Sequence, residues 1–503
     1  MASQSAAQRR RSPALLLERN RGRIVDAVVE VLGDVGWSGL TYASVARVAG
    51  LSPRPVQDRF PDRWALAIAA WEQVTGPALE SALEELLASV GLISPQGPAE
   101  LDSSGPALHD PGPGLRQRLA SALAGAGLLD VSVRDDLRQS ANETSNLGLG
   151  GVDSWVDPTD EMRWALQHAL EAAGRADYLA VRASGPSPEW LARALQPFLV
   201  PDAPLRAAIE ILVMSQFDAG LEVAVTDHVG GSVKRWCTPV PGDAASAARC
   251  AYLISTALGL LLARTRTGVA DLDLRGEAWL LFEALESGSA PVSLPDVRAE
   301  HLDRFLDFDT GDPALDALLR ATLEEVGRVG FDAATTAGIG RASGFSEGLL
   351  FARYPTKVEA FVDATRRQHA QAWRLNEAFQ QGIIAAHGEG IAEAVVIREF
   401  QRPHLRLARA INMEQVRLAL HDERLREVQW GELDALVVDA TSTDPDWHPA
   451  ASPAHLHMSV AIGLGAACLP MLVPQAWQLP YDVVAVPLNE PVKPVTGSSA
   501  AGP

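Results

Sequence analysis

Apolar positions fall at helical spacing near the start of the chain. Ile24, Ala27, Val28, Val31, Leu32 and Val35 stand at i, i+3, i+4, i+7, i+8 and i+11, which makes one stripe along an amphipathic helix. Gly36 follows the stripe and ends it. Thr41 is placed to cap a short helix over Tyr42 to Ala49, with Val45, Ala46, Val48 and Ala49 facing inward. Gly50 supplies a tight turn. Ser52 then caps a further helix, Pro53 takes its favoured first position, and Val56 and Phe60 pack back onto the first helix. Two short helices joined by a Gly turn and braced by a longer helix form a helix-turn-helix.

The same pattern returns 294 positions later without a gap. Ala27, Glu30, Gly33, Val35, Gly36, Thr41, Arg47, Gly50, Ser52, Arg59 and Pro61 reappear as Ala321, Glu324, Gly327, Val329, Gly330, Thr335, Arg341, Gly344, Ser346, Arg353 and Pro355. Agreement of that kind marks an internal repeat.

The spacing of Gly36, Thr41, Val45, Ala46, Ala49, Gly50, Ser52, Phe60, Arg63 and Leu66 resembles the DNA-binding head of TetR-family transcriptional regulators. The resemblance implies an all-α fold of two tandem units, each a three-helix head followed by a helical ligand-binding and dimerisation core. It also implies that a bound ligand spreads the heads and lowers operator affinity. The chain departs from the family pattern at Arg54, Pro55, Gln57 and Arg63, where Gly, Thr or Ser, Tyr and Lys are usual; Gly348, Phe351 and Lys357 of the second copy lie closer to it.

On this resemblance Thr41 and Arg63 anchor to phosphates with Arg47 in support, and Ser52, Pro53, Arg54, Pro55, Gln57 and Arg59 lie at or near the major groove. Arg54 is the candidate for a direct base contact, with guanine the favoured partner of an Arg fork. The matching set of the second head is Thr335, Arg341, Ser346, Gly348, Arg353 and Lys357.

Charge separates the copies. Residues 8–66 hold ten Arg against six acids, net +4, and include the basic arm Arg9, Arg10 and Arg11; residues 302–360 hold six cations against ten acids, net −4. Phosphate affinity is therefore expected chiefly from the first head. The whole chain carries −20, so the excess acid lies in the cores and linkers and concentrates DNA contact on the first head.

The coarse organisation is a first head at 17–77, a helical core at 78–290 with a Pro- and Gly-rich loop at 94–114, a linker at 291–311, a second head at 312–370, a second helical core at 371–487 and a tail at 488–503. Helices are expected at Trp64 to Val90, Leu115 to Leu129, Asp160 to Ala173, Pro188 to Leu199, Ala203 to Val229 and Ala244 to Arg266. The last is free of charge from Cys250 to Leu262 and must be buried on most sides. Pro403 to Ala419 loosely repeats Leu205 to Ala219, and Ala454 to Leu472 repeats Ala247 to Leu261, at offsets of about 200. Pairing of these helices leaves open an intrachain pseudo-dimer or a homodimer of whole chains.

A length of 503 residues fits two fused two-domain units. Three scattered cysteines, Cys237, Cys250 and Cys468, indicate neither a disulfide framework nor a zinc site. No window holds eighteen uninterrupted apolar residues and the N-terminus is polar, so a cytoplasmic protein without membrane attachment is expected. Forty Arg against three Lys, with abundant Ala and Gly, point to a GC-rich bacterial genome.

No catalytic constellation emerges, and no cofactor or metal is expected. Asp271, Asp273 and Gly276 imitate a calcium loop, but Arg275 and Phe282 stand where ligands are needed. Gly338, Gly340 and Gly344 lie inside the second helix-turn-helix with no strand before them. His455 and His457 are two apart and lie on different faces of a helix. Candidate lining of a pocket for a small-molecule effector is Met214, Gln216, Phe217, Asp218 and Glu222.

The expected function is a sequence-specific regulator of transcription that binds double-stranded DNA, a ligand-responsive repressor. The alternative is an all-helical ligand-binding or protein-interaction module whose heads do not bind DNA.

Overall fold

A computed structural model describes residues 13–94, 180–239, 244–266, 294–298, 304–431 and 453–479, and residues 275, 276, 278 and 282. Among them every regular element is helical. The expected helices at 115–129 and 160–173, the basic arm, the loop at 95–114, most of the calcium-loop mimic and the tail lie outside the described residues, as do the side chains of His455 and His457.

The first head is built from α1 (Pro13–Val35), α2 (Tyr42–Val48) and α3 (Pro53–Gln57). Gly36 ends α1 at φ 69°, a left-handed backbone that L side chains rarely adopt. Ile24, Ala27, Val28, Val31 and Leu32 are buried as the stripe predicts, whereas Val35 is 52% exposed. Burial instead extends to Val25 and Val29, because a second face of α1 packs against the core: Gly33, four residues after Val29, sits on Ala203 of a core helix. α4 (Arg63–Ala70) continues through a π-helical turn at Trp71–Thr75 into α5 (Gly76–Ser89).

In the first core, α6 (Pro188–Leu199) matches its expected bounds. The single helix expected over Ala203 to Val229 is three: α7 (Ala203–Ser215), α8 (Ala219–Asp227) and α9 (Val229–Trp236). The break has a local cause. The Asp218 carboxylate accepts the Leu221 N–H at 2.9 Å and starts α8, and His228, with φ −86° and ψ −89°, leaves helical geometry before α9. α10 (Ala244–Ala263) follows.

The second head repeats the first: α11 (Pro313–Val329), α12 (Thr336–Ser343) and α13 (Glu347–Arg353), with Gly330 at φ 81° and Gly344 at φ 76° where Gly36 and Gly50 stand at 69° and 62°. α14 (Lys357–His387), α15 (Glu389–Phe400), α16 (Arg406–Ala419) and α17 (Pro453–Cys468) follow, and residues 423–431 are helical too. The segment expected as a plain linker is partly core: Phe305, Leu306 and Phe308 pack with Leu319, Leu323 and Phe361.

The most extensive helix pairing joins α10 to α17. α10 is long and apolar enough to cross a membrane, yet 83% of it is buried inside the protein. Its backbone meets that of α17 where side chains vanish: a Cβ on Gly259 would come within 1.6 Å of the Ala461 carbonyl oxygen, and one on Gly465 within 1.6 Å of the Ser255 carbonyl oxygen. Gly465 and Ala461 stand 206 positions after Gly259 and Ser255, so the two close approaches are reciprocal.

Contacts around the heads show the same reciprocity. The Trp37 N–H donates to the Glu210 carboxylate at 3.0 Å, and the Phe331 N–H, 294 positions on, donates to Glu414 at 2.7 Å. A Cβ on Gly36 would meet the His421 ring, and one on Gly330 would meet the Phe217 ring, 204 positions earlier. Ser38 donates to its own counterpart Asp332 at 2.8 Å. The contacts on either side of Ser38 and Asp332 thus exchange partners at matching offsets.

Candidate nucleic-acid interface

Each head is held by its caps. Thr41 Oγ1 accepts the Ser44 N–H at 3.1 Å while the Ser44 hydroxyl accepts the Thr41 N–H at 3.0 Å, a reciprocal capping box. Thr335 accepts the Gly338 N–H at 3.0 Å in the same place. Ser52 occupies the cap position of α3 with extended backbone, but its side chain makes no capping hydrogen bond, whereas Ser346 accepts the Leu349 N–H at 3.3 Å. The residue equivalent to Leu349 is Pro55, which has no N–H to give. Ser346→Ala should therefore cost about 0.5–2 kcal/mol in unfolding free energy, and Ser52→Ala about 0.5 kcal/mol or less, as chemical denaturation would read.

On the first head Thr41, Arg47, Ser52, Pro53, Arg54 and Gln57 are exposed, and Pro55, Arg59 and Arg63 are partly buried. The Arg54 side chain is 88% exposed, with only a 4.0 Å approach to Asp58. Arg59 donates to the Pro55 carbonyl at 2.7 Å, and Arg63 lies 5.1 Å above the Trp37 ring and 5.5 Å from Trp64. Those stacks hold the Arg63 fork beside the start of α4. Arg23, counted with the basic face from sequence, donates to the Ala49 carbonyl and braces the turn between α2 and α3. Tyr42, not singled out from sequence, ties α2 to the end of the recognition segment through its hydroxyl on the Phe60 carbonyl at 3.0 Å. Burial, reinforced by Asp62, raises its phenol pKa and keeps it a donor.

The second head spends its cations differently. Arg353 donates to Asp312 at 2.6 Å. The Asp312 carboxyl is held below its ordinary pKa by the Leu315 N–H first and Arg353 next. The Lys357 ammonium donates to the Phe331 carbonyl at 2.6 Å and the Ala334 carbonyl at 2.8 Å, and lies 4.3 Å from the Phe331 ring. Burial lowers its pKa against the pull of Asp332 and Glu414. Arg341, Ser346, Gly348 and Thr335 are exposed, as are Phe345 and Phe351 at 40% and 49%. Charge counting could not find these internal commitments, because they depend on which carbonyls the fold leaves within reach.

The residues named for an effector pocket belong to α7, α8 and the turn between them. Met214 is buried in α7, Gln216 and Phe217 form the α7–α8 break, Asp218 caps α8, and Glu222 is exposed. A cavity of about 330 Å³ lies in the second half, lined by residues of α14 to α17 among others. Trp190 and Phe198 fill the core, and Phe400 lines this cavity. Among the described residues no cluster of His, Cys, Asp and Glu could hold a metal ion.

No curated protein matches the chain. Residues 318–364 match the family model described as bacterial regulatory proteins, tetR family. The match runs from α11 through α12 and α13 into α14, over the head with the poorer charge balance. Residues 318–364 thus carry a TetR-type helix-turn-helix.

Proposed function

We propose that this chain is a DNA-binding regulator of transcription, a ligand-responsive repressor that presents two heads from one polypeptide. The observation that carries this reading is the helix-turn-helix at 318–364, matched to the tetR family, together with the similar arrangement at the N-terminus, where Arg47 and Arg54 are exposed. The first head contributes most of the phosphate attraction, since Arg353 and Lys357 of the second are engaged within the protein. The reciprocal contacts between the halves support a pseudo-dimer within the chain. Such a chain binds DNA as a single copy and reads two unlike half-sites.

Fluorescence anisotropy with DNA from the protein's own upstream region, at two salt concentrations, tests this. Arg54→Ala should cost about 1–3 kcal/mol and relax preference at one base pair. Arg47→Ala should weaken binding to all sequences alike and lower the salt slope by about one. Arg54→Ala binding operator and random DNA as the wild type does would remove the first head from the reading. Salt-insensitive behaviour with no DNA retained would hand the chain to the second class, a ligand or protein module whose heads are scaffolding. The internal engagement of the second head's cations is the observation that favours that alternative.

A further inference from the structure

The turn that ends the first helix of each head is tied to a core helix by a carboxylate. Trp37, the residue after Gly36, donates its N–H to Glu210 of α7, and Phe331, the residue after Gly330, donates its own to Glu414 of α16. α1 packs on α7, α11 packs on α16, and α7 meets α16. Each turn also rests on the other half of the chain, Gly36 against the His421 ring and Gly330 against the Phe217 ring. Glu210 and Glu414 are both fully buried, and one guanidinium joins them. Arg417 donates to Glu414 at 2.7 and 2.9 Å and to Glu210 at 3.2 Å, and reaches Asp332, which receives the Ser38 hydroxyl of the first head, at 3.4 Å. Glu210 stands 204 positions before Glu414, but Val213 stands 204 positions before Arg417. The halves therefore share a cation that only one of them supplies.

We infer that Arg417 is a positioning residue that fixes the separation of the two heads, so that the chain accepts one spacing between its half-sites on DNA. The inference rests on the two-headed DNA-binding reading proposed above for that consequence, and on the geometry alone for the separation. The physical reason lies in what a buried fork demands. An apolar contact between α7 and α16 slides at little cost, whereas a planar guanidinium shared by desolvated carboxylates holds only where its N–H groups meet their oxygens. Displacing one helix against the other leaves a buried charge without its partner. Because Glu210 and Glu414 also accept the N–H groups of the two head turns, fixing the carboxylates fixes the turns. The shortest polar path between the heads runs from Trp37 through Glu210, Arg417 and Glu414 to Phe331.

The test reads the distance between the heads in the full chain without DNA. Cys237, Cys250 and Cys468 are buried, so spin labels can be directed to Asp58→Cys and Ala352→Cys, exposed and equivalent positions 294 apart. Double electron–electron resonance should return one narrow distance in this background. Adding Arg417→Met, Glu210→Gln and Glu414→Gln should replace it with a broad distribution, although the glutamine oxygens still accept the Trp37 and Phe331 N–H groups. That set decides the matter if Arg417→Ala fails to fold. Phe198→Ala, a core truncation outside the node, destabilises the chain but should keep the narrow distance, which separates positioning from stability. Selection by unlabelled protein from a pool of random duplexes should return half-sites at one separation for the wild type and at several for the triple variant. An unchanged narrow distance in the triple variant, or equal broadening in Phe198→Ala, overturns the inference. Broadening as expected with no duplex selected by any form would sink the DNA reading alone, and one separation selected by both forms would sink the positioning role alone.

Discussion

Arg417→Ala is expected to lower the unfolding free energy by about 3–5 kcal/mol at neutral pH, the largest single effect in this molecule. Arg417 is 1% exposed and joins two fully buried carboxylates: its guanidinium donates to Glu414 at 2.7 and 2.9 Å and to Glu210 at 3.2 Å, and reaches Asp332 at 3.4 Å. Burial opposes its charge, but the carboxylates of Glu414 and Glu210 outweigh that and raise its pKa. For Glu210 burial likewise pushes the carboxyl up, and Arg417, His421 and the Trp37 N–H outweigh it and hold the pKa below the ordinary value. Because the folded pKa is depressed, this stability is fully present above the unfolded glutamate pKa and is lost as pH falls through the lower folded value.

Without Arg417 the sign reverses. Burial then outweighs the partners left to Glu210, His421 and the Trp37 N–H, so its folded pKa rises, and the penalty is greatest at neutral pH and eases as a proton binds. The stability gap between wild type and Arg417→Ala should therefore narrow between about pH 7 and pH 4. Urea denaturation across that range reads it directly. Replacing the whole node, Arg417→Met with Glu210→Gln and Glu414→Gln, should recover part of the loss, since no buried charge then stands alone. A pH-independent loss under 1 kcal/mol would mean that water reaches the node.

Gly465→Ala is the second large effect. The added methyl carbon would stand 1.6 Å from the Ser255 carbonyl oxygen and 2.8 Å from the Gly259 nitrogen, both backbone atoms that no rotamer change can move aside. The α10–α17 pair must separate, at a cost of about 1–3 kcal/mol or more. Gly463→Ala, two residues away, meets nothing within 4 Å and should gain up to about 1 kcal/mol from helix propensity. Thermal unfolding followed by circular dichroism compares the two; equal behaviour would refute the close crossing.

Much of each head was legible in the sequence because its determinants are local. Thr41 and Thr335 cap as expected, Gly36 and Gly330 take left-handed turns, and Ile24, Val28 and Leu32 are buried. Each of these follows from spacing along a few turns of helix, a distance over which chain connectivity fixes neighbours. The failures are equally local in origin but needed one more residue of context. Ser52 stands where a cap should be and makes no capping bond, because the backbone N–H three residues on belongs to a proline. The long helix over Ala203 to Val229 read as continuous because its apolar pattern hides the Asp218 cap, which only the turn geometry reveals.

The sequence by itself determined the helices, caps and glycine turns at 13–57 and 313–353, since periodicity, caps and glycines act within some forty residues. Only the tertiary structure decided how charge is used and where the halves meet. Arg23, Arg353 and Lys357 add to a charge count wherever they lie, but whether they face solvent or bond to Ala49, Asp312 and Phe331 depends on groups 26 to 41 positions away. Pairing of Glu210 with Arg417, 207 positions apart, and the seating of Gly259 on Ala461 join segments that no periodicity connects. Such contacts form because two helices without side chains at one point can approach until their backbones touch, and because a buried carboxylate must find a partner wherever the fold brings one.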